Sequence, residues 1–184
     1  MKRSPLLIGS IVAVVAVVLW IFGGYNGLVT ERQNVDTAWS QVETQYQRRF
    51  DLIPNLVSSV KGAAGFEQTT LTQITEARTQ WQNASTRDER VQAAGALDRL
   101  LVTVEAYPQL QATQAYRDLM TQLEGTENRV ATARRDYNEA VKTYNLRVKR
   151  FPGLVLAALF GYDAESGFES SDGAENAPSV NFDQ

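Results

Sequence analysis

Three charged side chains fall on rows of the sequence that are otherwise apolar. Leu28, Val35, Val42, Arg49 and Leu56 recur every seven residues, and Met120, Glu127, Arg134, Val141 and Val148 do so further along. A seven-residue repeat keeps one face of a helix, so Arg49, Glu127 and Arg134 are all expected to point into a helical seam. A cation and a carboxylate in such a seam could hold a charged ligand, take part in catalysis, or neutralise each other. An unpaired buried charge costs several kcal/mol, which favours the third use. Arg49 is therefore expected to pair with Glu127 or another acid and to fix the register of two long helices, as a polar core residue does in coiled coils. In the alternative, a kink turns Arg49 outward beside Arg48.

The stretch "DLIPNL" at 51–56 places Asp51 and Asn55 around Pro54, which has no N–H for the carbonyl of Phe50. These two polar side chains are expected to hydrogen-bond or hydrate that carbonyl; the second use of a polar kink is to receive a partner segment. Three Tyr-Asn pairs, Tyr25-Asn26, Tyr137-Asn138 and Tyr144-Asn145, read as packing tyrosines with exposed or helix-bonding amides, since two lie one heptad apart. The chain has no His and no Cys. That removes thiol nucleophiles, disulfides, the usual zinc and iron ligand sets and the commonest general base. A di-iron bundle wants Glu-x-x-His, and there is no glycine-rich phosphate loop. No enzyme, cofactor or metal is expected.

The elements that must position these residues are helices. From 29 to about 61 the apolar row through Arg49 has a companion, Trp39, Tyr46, Ile53 and Val60, and both keep phase across Pro54, which reads as a kink within one helix. After "KGAAGF" at 61–66 a second helix over 67–82 faces inward with Leu71, Ile74 and Trp81. Thr86 and Glu89 form a capping-box pattern for a third helix over 87–106, with Val91, Ala94, Leu97, Leu101 and Val104 inside and Pro108 at its end. The last helix, 111–150, carries Tyr116, Leu123, Val130, Tyr137, Tyr144 and Phe151 on one row. Two long helices of matching period imply an antiparallel pair within an up-down bundle of three to four helices.

Residues 6–24, "LLIGSIVAVVAVVLWIFGG", contain no charge. At about 1.5 Å per residue they reach close to the hydrocarbon thickness of a bilayer. The run exceeds a signal-peptide core and lacks a small-x-small cleavage pattern, so it reads as an uncleaved anchor with Trp20 and Tyr25 as interfacial aromatics. Lys2 and Arg3 against Arg32 place the N-terminus in the cytoplasm and the bundle outside. The expected organisation is an N-terminal transmembrane anchor at 1–28, the helical bundle at 29–152, a short apolar segment at 153–168 and a disordered acidic tail at 169–184. Residues 29–162 hold 16 basic and 15 acidic side chains. That balance, followed by an acidic end, makes nucleic acid an unsuitable partner.

Read in order, "YNGLV", "QRRFDLIPNLVSSVKG", "EAYPQL", "YNEAVKTYN" and "FPGLVLAALFGY" resemble the LemA family of bacterial membrane proteins, over about residues 2–168. "KGAAGF" and the acidic end are the least family-typical parts. The resemblance implies one N-terminal transmembrane helix and an antiparallel bundle, with no established biochemical activity, and association with a membrane metalloprotease or a role in envelope organisation. The expected function is thus an inner-membrane, non-enzymatic scaffold whose partners are the lipid bilayer and an envelope protein. The alternative is a homo-oligomer that organises or remodels the membrane. The apolar segment "FPGLVLAALFGY", with Leu154 and Phe160, is expected to cover the bundle end, lie on the membrane or contact a neighbouring copy.

Overall fold

The computed structural model describes residues 5–60, 68–105 and 114–168. The expected loosened stretch at 61–66, the bend at Pro108, the tail at 169–184 and the side chains of Val60 and Val104 lie outside this description. The protein is all-α, with six helices and no strand among the described residues: α1 Pro5–Asp51, α2 Ile53–Val60, α3 Gln68–Asn83, α4 Arg87–Glu105, α5 Gln114–Lys149 and α6 Gly153–Phe160. Its contacts form two compact units, one of Met1–Ala38 with Arg134–Gln184, the other of Trp39–Ala133.

In the first unit, α1 changes environment along its length without a break. Ile8, Ile11, Val14, Leu19 and Phe22 are exposed, whereas Leu28 and Val35 are fully buried. The change follows composition, since an unbroken apolar run has no polar face to turn outward, while the heptad beginning at Leu28 has one. Tyr137, Val141, Tyr144 and Val148 of α5 are buried in the same unit. The two helices run antiparallel: Gly27 lies against Arg147 and Arg32 lies over the ring of Tyr144. α6 then packs Leu156 and Ala157 inward and ends at Gly161, whose φ of 73° lies in the left-handed region that favours glycine. Beyond it residues 163–168 form a strap without regular secondary structure.

The second unit is an up-down bundle. Trp81 of α3 stacks on Phe50 and touches Tyr46. Glu43 meets Arg90, and Arg49 meets Asp98, so α4 runs in the direction of α1. The expected capping box forms: the Glu89 N–H donates to Thr86 Oγ1 at 3.2 Å and the Thr86 N–H to Glu89 Oε2 at 3.1 Å. Ala93, Ala94, Leu97 and Leu101 are buried on α4, but Val91 is only half-buried.

Two expectations are corrected. The first helix is interrupted at Leu52, two residues before Pro54. Proline's ring crowds the carbonyl four residues back, so strain falls on the turn before it, and Pro54 itself sits in the first turn of α2, where no donor is missed. On α5 the row Tyr116, Leu123, Val130, Tyr137 and Tyr144 is buried, but its companions are Leu119 and Ala133 in the second unit and Val141 and Val148 in the first. The companion lies three residues on in one unit and four in the other, and both spacings flank the same helical ridge. The three-residue choice buries Leu119 and Ala133 and leaves Glu127 exposed and Arg134 half-buried.

Candidate functional site

Arg49 is the buried charge of the Trp39–Ala133 unit, at 5% exposure. Its Nη1 lies 2.5 Å from Glu127 Oε2 and 2.6 Å from Asp98 Oδ1. α1 brings in the cation because it falls on the Leu28 heptad, while the two acids reach it from α5 and α4. Glu127 serves it from the rim, with half its side chain exposed, so the pair is partly hydrated and only the cation is committed to the interior. Asp98 was not singled out by sequence. The available signal was its position between Leu97 and Leu101 on a helix whose inner face is otherwise apolar. A groove of about 490 Å³ opens here, with Glu124 beside Asp98 and Glu127 on its wall. Its rim is acidic and the cation that lines it is already held by two carboxylates, so the arrangement joins α1, α4 and α5 through one guanidinium.

Arg48 is exposed, one position away from Arg49. Asp51 does not serve the carbonyl of Phe50; it accepts from Gln47 Nε2 at 2.8 Å, one turn back along α1. Asn55 is exposed, and the hydroxyl bound to the Pro54 carbonyl is that of Ser58, at 2.8 Å. That is an i→i−4 bond within α2. Arg48 and Asp51 line a shallow groove of about 420 Å³ with Arg129 of α5, and Pro54 and Asn55 are not part of its lining.

The other unit holds the more specific arrangement. Tyr144 Oη donates to the Asp163 carbonyl at 2.8 Å, and Tyr137 Oη to the Ser166 carbonyl at 3.1 Å. The asparagine after each of these two tyrosines grips one strap residue twice. Asn145 donates to the Glu165 carbonyl at 2.7 Å and accepts its N–H at 2.9 Å; Asn138 does the same with Phe168 at 2.9 and 2.7 Å. The expectation of exposed or helix-bonding amides is corrected for Asn138 and Asn145, whose amides read the backbone of the strap, while Asn26 is exposed as expected. Seven helical residues advance about 10.5 Å and three extended residues about 10 Å, so a Tyr-Asn repeat one heptad apart matches a three-residue repeat in the strap. Sequence reasoning had the Tyr-Asn repeat but treated 163–168 as the end of an apolar segment, because a strap without regular secondary structure has no periodicity of its own.

Side chains lock the strap at both ends. Arg32 pairs with Glu165 and also with Asp36 at 3.7 Å. Burial opposes the charge on Arg32, but hydrogen bonding and attraction to Glu165 outweigh it and raise its pKa above the usual guanidinium value. Burial raises the Tyr144 phenol, so it stays a donor through the neutral range. Arg134 stacks on the ring of Phe168 at 4.5 Å, and Tyr137 meets that ring edge-on at 5.5 Å. Arg134 is therefore a strap contact at the rim and not a seam charge. Leu154 of α6 is exposed, while Phe160 packs against Tyr25 of α1 with ring centroids 4.8 Å apart.

These features define a class: an all-α protein with one helix, near the N-terminus, long and apolar enough among the described residues to cross a membrane. The profile of the LemA family matches residues 38–182, and the chain belongs to that family. It is 28% identical to magnetosome protein MamQ 2 of Paramagnetospirillum magneticum, over 91% of this chain and 74% of the relative. It is 26% identical to magnetosome protein MamQ of Magnetospirillum gryphiswaldense, over 88% of this chain and 72% of the relative. Protein LemA of Metamycoplasma hominis is 24% identical over 70% of this chain and 61% of that protein.

Proposed function

We propose that this protein is a membrane-anchored, non-enzymatic interaction module of the bacterial cell envelope. α1 is its uncleaved single-pass anchor in the cytoplasmic membrane, the N-terminus is cytoplasmic, and the helical body lies outside and binds a membrane-protein partner, for which a membrane metalloprotease is one candidate. The observation that carries the reading is the continuity of α1. The helix whose apolar residues are exposed from Ile8 to Phe22 becomes the core helix at Leu28 with no linker between. Such a helix holds the folded body at a fixed distance from the bilayer, which suits an adaptor better than a freely diffusing domain. The polar groups described above bind one another, which leaves them in structural roles. Two relatives are named for a cellular body, the magnetosome, and not for a reaction, which supports the same reading.

The test is a photoreactive residue placed at Arg48 or Arg129, both exposed, in the full-length protein in its native membrane. The expected product is one discrete heterologous adduct. An adduct of the chain with itself would favour the self-assembling, membrane-organising alternative, and no adduct at either position would count against a partner on this face.

A further inference from the structure

α6 is apolar all round, "GLVLAALF", yet it buries only Leu156 and Ala157. Leu154 and Val155 are about half exposed, Leu159 is 67% exposed, and Phe151 just ahead of the helix is 81% exposed. A helix without a polar face is normally covered on all sides. The place where α6 docks says what covers it. Leu156 lies so close to Gly24 that a Cβ there would collide with its Cδ1, and Phe160 and Tyr162 both pack on Tyr25. Gly24 ends the apolar stretch 6–24 of α1, and Tyr25 and the polar Asn26 follow it, so α6 is held beside the level at which that helix leaves the hydrocarbon. Tyr25, Phe160, Tyr162 and Phe151 collect there with Trp20 one turn away on α1, a composition typical of a membrane interface. The last turn of α5 adds Arg147 and Lys149, and Arg150 follows it, all exposed.

We propose that α6 and Phe151 lie in the interfacial layer of the bilayer, beside α1, with Lys149 and Arg150 at the headgroups. The inference rests on α1 spanning the membrane. It adds a second, monotopic contact that fixes how α1 and α5 rotate against the lipid surface. An interfacial helix buries its apolar face at the boundary of headgroups and acyl chains, and cations above it gain from anionic lipid. The exposed apolar surface of α6 is continuous with the span through Gly24 and Tyr25, whereas a second copy on this face would have to displace the lipid already around α1.

The natural chain has no cysteine, so single labels can be placed cleanly. Phe151→Cys, Leu159→Cys, Val14→Cys and Lys142→Cys variants of the full-length protein are each labelled with an environment-sensitive fluorophore. They are reconstituted in phosphatidylcholine vesicles containing phosphatidylglycerol and a lipid with a nitroxide at a shallow acyl position. The expected result is quenching at 151, 159 and 14 and none at 142, with aqueous iodide reaching only 142. If Val14 is quenched while both 151 and 159 are open to iodide, α6 is not in the bilayer and the proposal falls although the anchor stands. If 151 and 159 are shielded from iodide and from the lipid nitroxide alike, a second copy covers the face and the proposal also falls. If no site is quenched, α1 does not span, and the anchor falls together with this proposal.

Discussion

In the Trp39–Ala133 unit the polar centre is a cation, Arg49, buried between carboxylates from two other helices. In the Met1–Ala38 and Arg134–Gln184 unit it is a set of neutral amides and phenols on α5, bound to the backbone of the strap at 163–168. The first joins three helices through charge, at the expense of a desolvated guanidinium. The second reads main chain through Asn138 and Asn145, so it depends on both amides, and the strap side chains Glu165 and Phe168 add to it. The two regions should therefore fail in different ways.

The largest effect is expected from stranding the cation. Asp98→Asn with Glu127→Gln leaves Arg49 charged, buried and poorly paired, and should cost about 3 kcal/mol in thermal or denaturant unfolding of the detergent-solubilised full-length chain. Arg49→Met removes the charge as well and should cost less than half of that, because the acids are partly exposed and can hydrate. If Arg49→Met is the worse of the two, the cation stabilises through more than its neutralisation.

Next comes the amide ladder. Asn138→Ala with Asn145→Ala removes four hydrogen bonds to the strap, each worth about 0.5–1.5 kcal/mol net. The Glu165 and Phe168 amides should lose hydrogen-exchange protection, while those of α3 and α4 keep theirs. Smaller again is Gly167→Ala. Its Cβ would meet Asn138 Oδ1 at 2.8 Å, so the amide must shift, at about 1 kcal/mol. Phe168 should then exchange faster while Glu165, held by Asn145, is unchanged.

The smallest effect is a pH dependence at the start of α4. Hydrogen bonds from the Ser85 and Thr86 N–H groups lower the pKa of Glu89 below the usual carboxylate value. A depressed folded-state pKa gives stability that is present above the unfolded value, about 4.3, and is lost as the pH falls through the folded one. Exchange of the first-turn amides of α4 should therefore quicken in acid, and Glu89→Gln should remove that dependence.

What sequence could tell differed between the units for physical reasons. Helices, the capping box and the Arg49–Glu127 pairing were legible, because heptads and caps are local patterns. Asp98 was missed because a single acid on an inner face gives no periodic signal. On α5 the heptad named one buried row, but sequence could not choose between the three- and four-residue companions, and so Glu127 and Arg134 were turned too far inward. The strap was hidden for a third reason: it has no apolar repeat, and its partners lie some twenty to thirty residues earlier, on a helix whose tyrosines and asparagines look like ordinary packing.

The central claim is that one chain supplies the carboxylates that hold Arg49 and the amides that hold the strap, and works as a tethered adaptor. The most direct measurement is the mass of the full-length protein in mild detergent, by light scattering with the detergent contribution subtracted. The account predicts the mass of a single chain, because the acids that pair with Arg49 and the side chains that hold the strap all come from within it. A discrete oligomer, persisting on dilution, would contradict the adaptor and assign the protein to self-assembly.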